Sequence, residues 1–124
     1  LADDGPDGDA ARTRLRGETL AAPELVDLEV ASVLRRQNRA GMLDNRRADL
    51  AMTDLGALPM HRASHLALLP RCWELRDNVT TYDAAYVALA EALDATLLTG
   101  DRRLAHAAGP TCTIELLRTP RRGR

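Results

Sequence analysis

The chain has 124 residues, 45% hydrophobic and 28% charged, with a formal net charge of −1, the make-up of one soluble globular domain with a single core. No stretch is long and apolar enough to span a bilayer and no signal-peptide or prenylation pattern is present, so a bacterial cytoplasmic protein with no membrane association is expected. All 17 basic residues are arginine, which weighs against mechanisms needing an ammonium group, and the near-neutral balance gives no global attraction for nucleic acid.

In chain order, Asp9 to Arg16 reads as a short helix stopped by Gly17, and Thr19 to Ala22 as a brief strand. Pro23 opens the next helix and Gly41 closes it. Asp44 is the expected N-cap of a helix through Leu55, followed by a short strand from Leu58 to His61 and a helix around Leu66 to Arg76. The alanine-rich segment Thr81 to Leu93 predicts a helix able to press closely on its neighbours. Thr96 to Thr99 predicts a compact strand leading to Asp101, then a short helix ending near Gly109 and a last strand from Cys112 to Leu116. Alternating helices and strands predict an α/β domain over residues 1–117, with a mostly parallel sheet between helical layers. The Arg-rich tail, residues 118–124, follows as a disordered extension.

Cys72 and Cys112 are far apart, without CxxC or zinc-finger spacing, and read as buried thiols. His61 and His65 are four apart, but Pro59 points to a strand or turn there rather than a shared ligand face. Trp73, Tyr82 and Tyr86 are the only aromatics, too few for a base-stacking platform, and core packing is expected of each. Arg35, Arg36, Arg39, Arg46 and Arg47 read as a solvated helix face, with local contacts to nucleic acid as the alternative.

Three carboxylates carry the chemistry: Glu29, Asp83 and Asp101, each where a helix meets a strand. Hard cations such as Mg²⁺ are held by a few carboxylates with water and substrate phosphates, so convergence of these acids points to phosphodiester chemistry. Glu29 has Leu25, Val26, Ser32 and Val33 as its helical neighbours, so its charge runs along an apolar face and needs a cation or an arginine as partner. Asp83 also fits a capping box with Thr80, and Asp101 after Gly100 fits an N-cap. Helix starts beyond strand ends are nonetheless where open α/β sheets place ligands.

The runs APELVDLEVASVLRR, TTYDAAYVALA and LLTGDRRLA, in this order, resemble PIN-domain ribonucleases, and more narrowly VapC-type toxins. The resemblance covers about Leu1 to Leu117 and implies a three-layer α/β/α fold. It matches Glu29 to the family's helix glutamate, Asp83 and Asp101 to its later acidic positions, and Thr99 to a supporting hydroxyl. It implies a Mg²⁺- or Mn²⁺-dependent endoribonuclease toxin that cuts structured RNA such as tRNA or rRNA, a VapB-type antitoxin as partner, and a homodimer. Glu29, Asp83 and Asp101 would be the metal ligands, with Arg102 and Arg103 as phosphate contacts or as surface charge.

The family's first acidic residue ends an opening strand that would precede Leu1, and Asp3 and Asp4, beside Gly5 and Pro6, read as turn residues rather than replacements. A chain without that strand is expected to expose backbone edges, and the alternative function is a catalytically inactive PIN-like module that binds an antitoxin or RNA. Receiver domains and haloacid-dehalogenase-like phosphatases need a lysine near the phosphoryl group, which this chain does not have.

Overall fold

The computed structural model describes residues 18–117, so the expected first helix, Asp3, Asp4 and the Arg-rich tail lie outside the described residues. The elements are β1 (Leu20–Pro23), α1 (Val26–Arg39), α2 (Asn45–Ala57), β2 (Met60–Ala63), a 3₁₀ turn (Leu66–Leu68), α3 (Leu69–Glu74), α4 (Thr81–Leu93), β3 (Leu97–Thr99), α5 (Arg102–Ala105) and β4 (Ile114–Leu116). No helix among the described residues is long and apolar enough to cross a membrane.

Both strand pairs are parallel, as the alternation of elements implies. β1 runs beside β2 with Leu20 opposite Met60, and β3 beside β4 with Leu97 opposite Ile114. Among the described residues these are two separate two-stranded ladders, and α4 packs against both β1 and β3. The opening strand implied by the resemblance has no counterpart among the described residues.

The ends of the elements follow local chemistry. Pro23 ends β1 rather than opening α1, because the parallel ladder continues through Pro23 opposite Ala63 and the Glu24 amide donates to Ala63 O at 2.9 Å. Gly41 stops α1 with φ +77°, a left-handed turn that costs glycine little. Asp44 caps α2 by accepting the Arg47 amide at 2.8 Å. β2 starts two residues later than expected, and α5 stops at Ala105 well short of Gly109. His61 lies exposed in β2 and His65 at the start of the 3₁₀ turn, so they share no helix face.

The core forms around α4. Ala84 and Val87 are fully buried, with Ala85, Ala88, Leu89 and Ala90 beside them, and Leu68, Cys72, Leu75, Leu97 and Leu104 complete the cluster. Small alanines let α3 and the strands approach the helix closely, while Leu75 and Val87 fill the remaining volume. A second, smaller cluster of Leu34, Leu43 and Ala51 joins α1 to α2 as an antiparallel hairpin. Cys72 is buried and Cys112 half-buried, both are free thiols, and burial pushes both thiols up.

Core packing was expected of all three aromatics, and two of them stand outside. Trp73 is 68% exposed and Tyr82 67% exposed, and the Arg76 guanidinium covers the Trp73 ring at 4.6 Å. A short α3 with its buried side on Cys72 leaves Trp73 facing solvent.

Glu91 pins the lower end of α4. Its carboxylate accepts Arg71 Nε at 2.7 Å and Arg71 NH2 at 3.1 Å from α3, and the Thr111 amide at 2.8 Å from the loop before β4. The Arg71 hydrogen bond, ahead of opposing burial, holds the Glu91 carboxyl down at about 2. A carboxyl depressed on folding contributes stability above its unfolded pKa and loses it as pH falls from about 4.5 toward 2. Glu91→Gln is therefore expected to cost about 2–3 kcal/mol at pH 7, and urea melts near pH 2 should show the two proteins drawing together.

Candidate active site

Glu29 sits in the first turn of α1, where its charge complements the helix dipole. It is exposed, not buried along an apolar face. The buried stripe of α1 runs instead through Val30, Leu34 and Asn38, which pack on α2 or cap the hairpin, so Ser32 and Val33, one turn after Glu29, face outward, Val33 at 40% exposure, while Leu25, one turn before it, packs on the main core. Its partner is neither an arginine nor a neighbour on α1. The hydroxyl of Tyr86, on α4, donates a hydrogen bond to Glu29 Oε1.

Asp83 lies one turn before Tyr86 on α4, half-buried. The Thr80 hydroxyl accepts the Asp83 amide at 3.2 Å, so the capping reading holds for its backbone. That bond leaves both oxygens of the Asp83 carboxylate out of the cap. Burial first, then the hydrogen bond to Glu29 and the charges of Glu29, Asp83 and Asp27, raises the Tyr86 hydroxyl above its ordinary range. Tyr86 is thus a neutral donor to Glu29, and Asp83 lies one turn before it on α4.

Asp27, the third charge near Tyr86, is neutralised. Its two oxygens accept Arg62 Nε at 3.0 and 2.8 Å, while Arg62 NH2 donates to Leu55 O at 2.7 Å. One arginine thereby ties the start of α1 to the end of α2 and to β2, and Asp27 is a structural acid rather than a free ligand.

Asp101 stands just beyond β3. Its Oδ1 accepts the Arg103 amide at 2.8 Å as the N-cap of α5, and its own amide donates to the Thr99 hydroxyl at 3.0 Å. Thr99 therefore fixes the turn that presents Asp101. Arg102 and Arg103 are exposed beside it, free to meet phosphate or water.

The donors fit a hard cation in kind: three carboxylates, each with an oxygen not taken by the hydrogen bonds above, and no thiol or imidazole among them. Their convergence is incomplete, since among the described residues no three His, Cys, Asp or Glu side chains close into a metal-holding group. The structure joins Glu29 to Tyr86, one turn beyond Asp83 on α4, and places Asp101 with Thr99 at the end of β3.

The sequence matches the PIN domain family over residues 1–110. The chain belongs to the PIN domain family. Its curated relatives include Ribonuclease VapC1 of Mycobacterium tuberculosis, 44% identical over 119 residues, covering 95% of this chain and 90% of that protein. Ribonuclease VapC9 of the same organism is 42% identical over 110 residues, 86% of this chain and 84% of that protein. Ribonuclease VapC12, also from M. tuberculosis, is 37% identical over 112 residues, 90% of this chain and 87% of that protein.

Within this PIN domain, Tyr86 packs against the main core as the sequence implied, and its hydroxyl in addition reaches Glu29, a contact the sequence reading did not include. Its signal was available: Tyr86 follows Asp83 by three residues, one turn away on the same helix face, and aromatic residues with a polar tip seek a hydrogen-bond partner when half-buried.

Proposed function

We propose that this PIN domain is a metal-dependent endoribonuclease, the toxin of a VapBC-type module, cutting structured RNA such as tRNA or rRNA. The observation that carries the reading is the hydrogen bond from the Tyr86 hydroxyl to Glu29, with Asp83 one turn before Tyr86 on α4, in a chain related along most of its length to VapC ribonucleases. Glu29, Asp83 and Asp101 are the residues that would hold Mg²⁺ or Mn²⁺. The chemistry supplied by such a bound ion is activation of water for attack at phosphorus and neutralisation of charge on the leaving oxygen.

The chain's own residues do the positioning. Tyr86 engages Oε1 of Glu29 and leaves its second oxygen for a cation, while the N-cap bond to Arg103 engages only Oδ1 of Asp101. Thr99 holds the Asp101 backbone, and Arg102 and Arg103, exposed next in sequence, would contact a phosphate there. Arginine suits that contact because its planar fork pairs two oxygens at once.

The same reading supplies the partners: an RNA substrate, a VapB-type antitoxin, and a second copy of the chain. Leu66 and Trp73 are 71% and 68% exposed and Leu69 46%, and these exposed apolar side chains on and just before α3 support self-association there. Incomplete convergence of the carboxylates favours a second reading, a PIN module that binds RNA or antitoxin without cutting. Purified protein incubated with total tRNA and rRNA separates the two. Discrete cuts that require Mg²⁺ or Mn²⁺ and vanish with chelator establish the nuclease, and RNA that the folded protein binds but leaves intact favours the binding module.

A further inference from the structure

We infer that the tip of the α1–α2 hairpin is a second anchoring site for the RNA, gripping its phosphates at a distance from the carboxylates; this rests on the nuclease reading above. Residues 35–47 hold five arginines, Arg35, Arg36, Arg39, Arg46 and Arg47, against the single carboxylate of Asp44. That carboxylate is engaged in capping α2. In a chain whose formal charge is −1, this is a concentrated positive patch, and charge complementarity points to a polyanion.

The patch is aligned with the site. Arg36 follows Glu29 by seven residues, which on an α-helix brings it within about 20° of the same line and about 10 Å further along. Arg39 lies about 15 Å along, on the adjoining stripe. Ser32 and Val33 between them are exposed, so the outer face of α1 is an open track from carboxylate to arginine. These arginines would therefore meet phosphates several nucleotides from the cut, not the scissile phosphate itself.

Two features set this patch apart from an ordinary solvated face. Arg46 lies in the first turn of α2, where the helix dipole disfavours a cation, and the carboxylate at that end, Asp44, is taken up by the cap. Arg35, Arg36, Arg39 and Arg46 take part in none of the ion pairs among the described residues. The tip beneath them is rigid: Asn38 Nδ2 donates to Leu43 O and Asn45 Oδ1, the Met42 and Leu43 amides donate to Gln37 O, and Leu43 is buried. Charges held on a fixed support lose little order on meeting phosphate.

The test is tRNA affinity across a salt series, with Arg36→Ala, Arg39→Ala and Arg46→Ala combined, in an Asp83→Asn background that keeps the RNA whole. Removing one arginine–phosphate pair should flatten the plot of log affinity against log salt by about one. The triple variant is expected to bind at least about tenfold more weakly at low salt, with a slope shallower by about two to three. On an otherwise active chain, cleavage of an oligonucleotide too short to reach from Glu29 to Arg36 should be unchanged. An unaltered affinity and slope overturns the inference, as does a triple variant that keeps RNA binding and loses antitoxin binding instead. A parent protein that neither binds nor cuts RNA overturns the nuclease reading as well, so the two failures are distinct. Unchanged melting temperatures, expected for exposed arginines without ion pairs, verify that the fold is intact.

Discussion

Asp83→Asn is expected to lower RNA cleavage by at least about a hundredfold, equivalent to roughly 3 kcal/mol of transition-state stabilisation, with little change in stability. The structure separates the two roles open to this residue. The capping contact at the start of α4 is made by the Asp83 amide to the Thr80 hydroxyl, and asparagine retains that amide. What the substitution removes is the charge beside Tyr86 and Glu29. If Asp83 served only to complement the dipole of α4, the loss would be about 0.3–1 kcal/mol of stability with no effect on turnover. Cleavage assays paired with thermal melts read both quantities. Full activity with a lowered melting temperature would sink the catalytic assignment, whereas lost activity with an unchanged melt supports it.

Much of this fold was legible because its signals are local. The helix Thr81–Leu93 has its expected bounds, since Thr80 caps one end and the alanine run carries the helix to Asp94, which adopts a left-handed conformation at φ 50°. Asp44 and Asp101 cap the helices expected of them, because an extended residue with a short carboxylate meets the free amides wherever a helix starts. Less legible was anything decided between elements. Pro23 looks like a helix opener in isolation, but pairing with β2 keeps it in a strand. The polarity of Glu29 among apolar neighbours suggested burial, yet packing on α2 rotates α1 so that Val30 and Leu34 face inward and Glu29 outward. The division of the acids between Arg62, which neutralises Asp27, and Tyr86, which holds Glu29, depends on side chains 35 and 57 residues distant, and no spacing rule reaches that far.

Tyr86→Phe is the sharper test of how the site is held. Phenylalanine keeps the ring against the core, where Tyr86 packs beside the buried cluster, and removes only the hydroxyl that donates to Glu29. Outer partners that orient a metal-binding carboxylate commonly contribute 10- to 100-fold in metal affinity, so Mn²⁺ binding, followed by calorimetry, is expected to weaken by about tenfold or more. Turnover at limiting metal should fall in parallel and recover as the metal concentration is raised. Stability should change by about 1 kcal/mol or less, the range for one hydrogen bond at a half-exposed position. A structural role alone predicts the opposite pattern, a lowered melting temperature with metal affinity unchanged. Since the raised proton affinity of Tyr86 keeps it a donor through the physiological range, its grip on Glu29 is independent of pH there. Any pH dependence of metal binding near neutrality must then arise from the carboxylates' neighbours or from the water they help to hold, not from the tyrosine.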